Sequence, residues 1–159
     1  RGVMNNGTHM LDLVVFLTGR LMRLACCVEH NGVSDPPVSA VLGIDGVPSV
    51  PFYMVGCDAI GYARFELTLT FTGGVVEILE GGLFVRRRPA QPFAAFPDSK
   101  VAIDLPRMPT KYGEAFLRAL DELAIWAPGS SLSSDAFTAL SAIELGHEMR
   151  ESAGLYLAA

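Results

Sequence analysis

Alternation of apolar and polar residues is the clearest pattern in the chain, and it is longest over Tyr62–Thr72. Phe65, Leu67, Leu69 and Phe71 occupy every second position there, with charged residues and threonines between them. A period of two residues is typical of a strand with one packed face and one polar face. Glycine pairs separate this run from two further apolar runs, so the pattern predicts an antiparallel meander with strands over residues 62–72, 75–80 and 83–88.

Three shorter runs with the same period come earlier in the chain. They predict strands over Leu21–Glu29, Val38–Ile44 and Val50–Val55. Pro48 and Pro51 place the third of these at a sheet edge or give it an irregular start, because proline lacks the N–H that a central strand donates. The chain is therefore expected to hold about six strands.

Helical spacing of apolar residues occurs near both ends of the chain. The first helix is expected to begin after a cap at Asn5 or Asn6 and to end at Gly19. A second helix is predicted from a cap at Thr110 to about residue 126. A third is predicted from a serine cap at residue 133 or 134 to about residue 152.

This order of elements predicts an α+β fold. We expect an open, mainly antiparallel β-sheet of about six strands with helices packed on one face. Residues 1–159 are expected to form a single domain. The segment Pro89–Pro109 holds five prolines, and we expect it to be a long loop with one short extended piece.

The sheet face that the helices leave bare is expected to be apolar. Its side chains include Phe52, Met54, Val76 and Ile78. A contiguous apolar surface of this kind marks an interface. We therefore expect a homo-oligomer in which this open sheet face meets the same face of a second subunit.

Composition narrows the choice of partners. The chain is 50% hydrophobic with a mean hydropathy of +0.36, yet no run approaches the roughly 20 uninterrupted apolar residues of a membrane span. A net charge of −5 and a pI near 5.1 leave no basic footprint for nucleic acid. No signal-peptide pattern is present. We expect a cytoplasmic protein with neither a membrane nor a nucleic-acid partner.

The number of cysteines agrees with a cytoplasmic location. Cys26, Cys27 and Cys57 make an odd count, which suits reduced thiols. Cys26, Cys27 and His30 could together be metal ligands, but their spacing matches no standard zinc pattern. We interpret the cysteines as core or sheet thiols and predict no metal site.

Candidate chemistry is concentrated at the start of the first helix, where His9 is expected in the first turn. Asp12 follows three residues later and Asn5 precedes by four, so all three polar groups can converge on one helix face. The helix start disfavours imidazolium whereas the carboxylate favours it, and the sequence leaves that balance open. A capped, hydrogen-bonded surface pair is the structural alternative to a proton-transfer site.

The stretch Gly2–Leu13, followed by a hydrophobic helix that ends at Gly19, resembles the start of the C-terminal domain in the Gfo/Idh/MocA family of NAD(P)-dependent oxidoreductases. That family carries a motif of the form Asp-x-Gly-x-His-x-x-Asp at this point. Gly7, His9 and Asp12 match the motif. Asn5 stands where the first Asp is expected, and it is the departure from the pattern.

The resemblance implies the substrate-binding and oligomerising domain of a dehydrogenase acting on a secondary alcohol of a sugar, cyclitol or related substrate. It implies a Rossmann domain that precedes these residues, so that this chain alone is inactive. NAD or NADP would bind in that domain, since the chain has no Gly-x-Gly-x-x-Gly turn and hence no cofactor-binding residues of its own.

The resemblance also implies roles for individual residues. His9 would be the base or proton relay, together with a Lys from the nucleotide-binding domain. Asn5 would orient a hydroxyl or the His9 ring, and Asp12 would accept hydrogen bonds from substrate hydroxyls. Tyr62 stands where some relatives place a substrate-contacting aromatic, although packing at a strand start is its structural alternative.

Two further alternatives stay open at this point. A non-catalytic domain that keeps the fold for oligomerisation or small-ligand binding is the second reading of the whole chain, and Asn5 in place of an acid is its best support. Arg86–Arg88 indicates either a solvated strand edge or a site for a substrate phosphate.

Overall fold

The structure is a computed structural model that describes residues 2–19, 22–29, 37–56, 64–130 and 136–156. Three α-helices and eight strands lie in these ranges. In chain order the elements are a π-helical turn Val3–Gly7, α1 Thr8–Thr18, β1 Met22–Glu29, β2 Val38–Ile44, β3 Val47–Met54, β4 Leu67–Phe71, β5 Gly74–Leu79, a 3₁₀ turn Glu80–Gly82, β6 Phe84–Phe93, β7 Phe96–Ala102, β8 Met108–Pro109, a 3₁₀ turn Tyr112–Glu114, α2 Ala115–Ile125 and α3 Ala136–Tyr156.

The strands form two sheets, and each strand pair is antiparallel. One sheet has the order β1-β2-β3. The other has the order β4-β5-β6-β7, with β8 pairing to β6. The α+β class with an open antiparallel sheet is therefore confirmed. The number of strands is larger than expected, and they are divided between two sheets.

The chain divides into two compact units, residues 1–61 with 131–159 and residues 62–130. In the first unit α3 packs on β1 and β2 and against α1. Helices α1 and α3 can approach closely because Gly146 of α3 has no side chain. A Cβ atom at this position would lie only 3.0 Å from Thr8 Cγ2 of α1. The Cys27 thiol of β1 donates a 3.3 Å hydrogen bond to the Met149 carbonyl of α3, and burial raises its pKa.

The hydrophobic core of the described residues lies almost wholly in this first unit. Its buried apolar side chains are Val3, Leu11, Val14, Val15, Met22, Cys27, Val38, Ala40, Leu42, Ala142, Leu145, Met149 and Ala153. In the second unit Leu67 is the one buried hydrophobic side chain among the described residues. The expectation that residues 1–159 form a single domain stays a prediction.

Helix α2 differs from the expectation that both closing helices cover a sheet. The apolar side chains Phe116, Leu120 and Leu123, which repeat at helical spacing and form its apolar stripe, are exposed. Within the described part of the chain the helix packs mainly against the 3₁₀ turn before it. The predicted cap at Thr110 is wrong, because α2 begins only at Ala115, after Glu114, and has no side-chain cap. The Thr110 hydroxyl instead accepts a 3.1 Å hydrogen bond from the Tyr112 N–H in the 3₁₀ turn before the helix.

The predicted loop over Pro89–Pro109 is wrong over most of its length, because β6, β7 and β8 occupy all of it except residues 94–95 and 103–107. Strand β6 continues to Phe93, and β7 pairs with it from Phe96. Prolines can occur in this strand because their carbonyl groups still accept hydrogen bonds, although they have no N–H to donate. The Ile103 N–H, for example, donates a 3.0 Å hydrogen bond to the Pro89 carbonyl.

Candidate functional site

The helical backbone that carries the candidate residues begins earlier than the sequence indicated. A π-helical turn over Val3–Gly7 leads directly into α1, and the Thr8 N–H donates to the Val3 carbonyl. Neither Asn5 nor Asn6 caps the helix through its side chain, so that prediction is wrong. The predicted end at Gly19 is confirmed, since this residue adopts the left-handed conformation and its N–H donates to the Val15 carbonyl.

Thr8 explains why the π turn is stable. Widening the turn leaves carbonyls without their α-helical partners, and the buried Thr8 hydroxyl lies 3.1 Å from the Met4 carbonyl and 3.2 Å from the Asn5 carbonyl. Single π turns inside helices are rare and occur often at functional sites. The turn adds one residue between Val3 and α1, so Asn5 does not hold the position that a regular α-helix would give it.

His9 and Asp12 both lie in α1, three residues apart and hence on neighbouring positions of one helix face. His9 is exposed, Asp12 is half-buried, and Asn5 is exposed in the π turn. Within the described ranges neither a hydrogen bond nor an ion pair joins His9 to Asp12 or to Asn5. The structural alternative of a hydrogen-bonded pair is therefore absent from this arrangement.

The Asp12 carboxylate has an unusual environment. Its Oδ1 atom is fully buried and has no hydrogen-bond partner among the described residues. A buried acceptor without a donor is costly, and most such groups in proteins are satisfied. The oxygen can therefore take a donor that the described residues do not supply.

Gly7 of the motif has a packing role. A side chain there would approach Met54 Cε of β3 to 2.9 Å and Val3 Cγ2 to 3.0 Å. The glycine allows the π turn to pack closely on the neighbouring strand and thereby helps to position His9, two residues further on.

Three residues that the sequence analysis singled out, Tyr62, Cys57 and His30, lie outside the described residues. Cys26 and Cys27 are free thiols, and in the described ranges no group of three His, Cys, Asp or Glu side chains could hold a metal ion. No helix within those ranges is both long enough and apolar enough to cross a bilayer.

Arg86 and Arg88 are engaged in ion pairs. Arg86 pairs with Glu77 across β5 and β6, with Nε 2.6 Å from Oε2, and this hydrogen bond lowers the pKa of Glu77. Arg88 pairs with Asp104. Sequence reasoning missed a cavity beside them, lined by Phe71, Val76 and Arg87 among others. The sequence feature that points to this cavity is the Gly73–Gly74 pair, which lines it and which the sequence analysis interpreted only as a turn between two strands.

The part of the chain that the structure describes lacks the usual cradle for a dinucleotide. No described strand is followed by a glycine-rich turn and a helix start, which is the arrangement that cradles a pyrophosphate. A nicotinamide cofactor would have to be held by residues other than those described.

Fold and site together define an α+β protein with a polar group of residues on its first helix. No protein-family model matches the chain, and no curated protein matches it. The fold is similar to that of a solved NAD-binding protein from Listeria innocua, with a TM-score of 0.60 over 98% of this chain and 14% sequence identity. The match covers 50% of the length of that protein. At this identity the likeness concerns the fold alone.

Proposed function

We propose that this chain is the substrate-binding and oligomerising part of an NAD(P)-dependent oxidoreductase of the Gfo/Idh/MocA type. Its substrate would carry a secondary alcohol, as sugars and cyclitols do. The fold of the Listeria innocua NAD-binding protein supports the class, and the motif residues Gly7, His9 and Asp12 support the family. A cytoplasmic location is part of the proposal, and the free thiols of Cys26 and Cys27 agree with it.

The observation that carries the proposal is the unpartnered Asp12 Oδ1, one helical turn from an exposed imidazole. A substrate hydroxyl that donates to the half-buried Asp12 carboxylate would supply a hydrogen bond that the described residues do not give it, and would hold the substrate beside His9. The His9 ring, free of any partner among the described residues, would accept the proton of the reacting hydroxyl. Asn5 would orient a hydroxyl or the ring, and Tyr62 stays a predicted substrate contact.

Steady-state kinetics of the full-length gene product test these roles. The assay follows nicotinamide reduction with a panel of cyclitols and aldoses, using NAD and NADP separately. We expect His9→Ala to lower kcat by about 10²-fold or more, because a general base contributes at least that much. His147→Ala is the matched control, since His147 is exposed on α3 and outside the proposed site.

Asp12→Asn separates a binding role from a structural one. A carboxylate that binds substrate should raise KM by about tenfold or more when replaced, while thermal stability stays equal or rises because a buried charge is removed. A structural carboxylate would show the opposite, a lower Tm with unchanged KM. Activity of His9→Ala within about twofold of wild type would remove His9 from the mechanism.

A non-catalytic domain is the second candidate, favoured by one observation. Asn5 replaces the acid of the motif and lies exposed without a side-chain partner in the described ranges. An amide cannot accept a proton as a carboxylate does. A full-length product that binds polyols without reducing either nicotinamide would favour this candidate.

A further inference from the structure

The second unit holds a cavity of about 380 Å³ that the proposed function does not use. It lies where the β4–β5 hairpin meets β6, and its apolar lining includes Phe71, Val76, Pro89 and Leu105. This volume lies near the lower end of the range found for small-molecule sites, roughly 300–1,000 Å³.

The register of the strands explains why a hollow forms there. Gly74 stands opposite both Phe71 of β4 and Pro89 of β6, so the three positions share one sheet face. Gly74 contributes no side chain to that row, which leaves space between the other two. A side chain cannot be added, because a Cβ at Gly74 would lie 2.3 Å from the Arg88 carbonyl oxygen and the residue has a φ of +139°. The hollow is therefore fixed by the backbone.

The next pair of facing residues on the same sheet face supplies a positive charge. Val76 stands opposite Arg87, so this guanidinium lies beside the hollow that both residues line. Its sequence neighbours Arg86 and Arg88 are neutralised by Glu77 and Asp104. Arg87 has no ion pair or hydrogen bond with any described residue. The site thus presents one available cation next to an apolar surface.

We propose that this hollow binds a small carboxylic acid with an apolar body. The planar guanidinium of Arg87 would bind the carboxylate through two parallel hydrogen bonds. The aromatic or aliphatic body would lie against Phe71, Val76 and Leu105. A single available cation suits a monoanion, and the apolar lining disfavours a hydrated phosphate dianion.

Fluorescence titration of the full chain with naphthoate, an aromatic carboxylate, tests the proposal. We expect saturable binding to wild type and binding about tenfold weaker for naphthamide, which has the same shape without the charge. Arg87→Met should weaken naphthoate binding by a similar factor. Arg118→Met is the matched control, because Arg118 is an exposed arginine of the same unit that does not line the cavity; it should bind naphthoate as wild type does.

Three results would overturn the proposal. They are the absence of saturable naphthoate binding, equal binding of naphthoate by wild type and Arg87→Met, and displacement of naphthoate by inorganic phosphate at lower concentration than by octanoate. Arg87 is exposed, so circular dichroism should show both variants folded. The titration uses neither cofactor nor polyol, and its outcome is independent of His9 and Asp12.

Discussion

At Gly56 the neighbouring strand leaves room for a hydrogen atom and nothing larger. A Cβ built there would lie 2.6 Å from both the backbone nitrogen and the carbonyl oxygen of Val38. Because backbone atoms cannot rotate away, we expect Gly56→Ala to lower the free energy of unfolding by about 1–3 kcal/mol, the usual effect of overpacking. The midpoint of urea unfolding measures this change.

Gly43→Ala is the control for that substitution. Gly43 belongs to β2 of the same sheet, is exposed, and has no atom within 4 Å of an added Cβ. Its free energy of unfolding should stay within about 0.5 kcal/mol of wild type. Equal midpoints for the two variants would show that β2 and the residues after β3 are further apart than the structure places them.

At the scale of elements, the Glu77–Arg86 pair links the two central strands of the second sheet. Glu77 stands directly opposite Arg86, and its side chain is 12% exposed. The pKa of Glu77 is lowered in the folded state by the hydrogen bond from Arg86. A lowered folded-state pKa stabilises the protein above the unfolded-state pKa, about 4.3, and that contribution is lost as the pH falls through the folded-state pKa.

Glu77→Gln should therefore have a lower Tm than wild type at pH 7, and the difference should close as the pH falls below about 4. Glu114→Gln is the control, because Glu114 pairs with Arg118 on an exposed helix surface where both side chains are more than half exposed. Its Tm should match wild type throughout. A difference for Glu77→Gln that is the same at pH 7 and pH 3 would contradict the role of its ionised form.

At the scale of the whole molecule, the second unit leaves much apolar surface in contact with water. Exposed fractions reach 73% for Phe116 and 83% for Ile125. One face of its sheet carries the half-buried side chains of Leu69, Val76 and Ile78, with Arg87 and the hollow towards its hairpin end, and the opposite face carries threonines and ion pairs. Phe52 and Met54, which were expected on the same open face as Val76 and Ile78, lie in the other sheet. Surface of this kind favours association with a second copy.

We expect the chain to self-associate through this apolar sheet face, and sedimentation velocity measures the association. Leu69→Lys should raise the dissociation constant at least tenfold, because a lysine would be buried at the interface without a partner. Thr70→Lys is the control, since it places the same charge on the opposite face of the same edge strand. Unchanged association of Leu69→Lys, or equal loss in both variants, would contradict an interface on this face.

Local alternation predicted where strands occur better than where they begin and end. The longest alternation, Tyr62–Thr72, forms a strand only over Leu67–Phe71 among the described residues, because pairing with β5 begins at Leu67. Strand β2 was predicted at its observed bounds, Val38–Ile44, because alternation over a full strand length has few other interpretations. The β6–β7 hairpin was missed because local patterns treat proline as a strand breaker, whereas its pairing to neighbouring strands decides whether the missing N–H matters. The π turn was missed because its stability depends on the contacts of Thr8 and Gly7.

The sequence by itself determined the α+β class, most strand positions, the end of α1 at Gly19 and the identity of the candidate residues, because each depends on local periodicity or on a residue type. Tertiary structure alone decided that Asp12 buries an oxygen without a partner, that Gly74 opens a hollow beside Arg87, and that α2 leaves its apolar stripe exposed. Those properties depend on which atoms of distant segments occupy the surrounding space, and no local pattern encodes that.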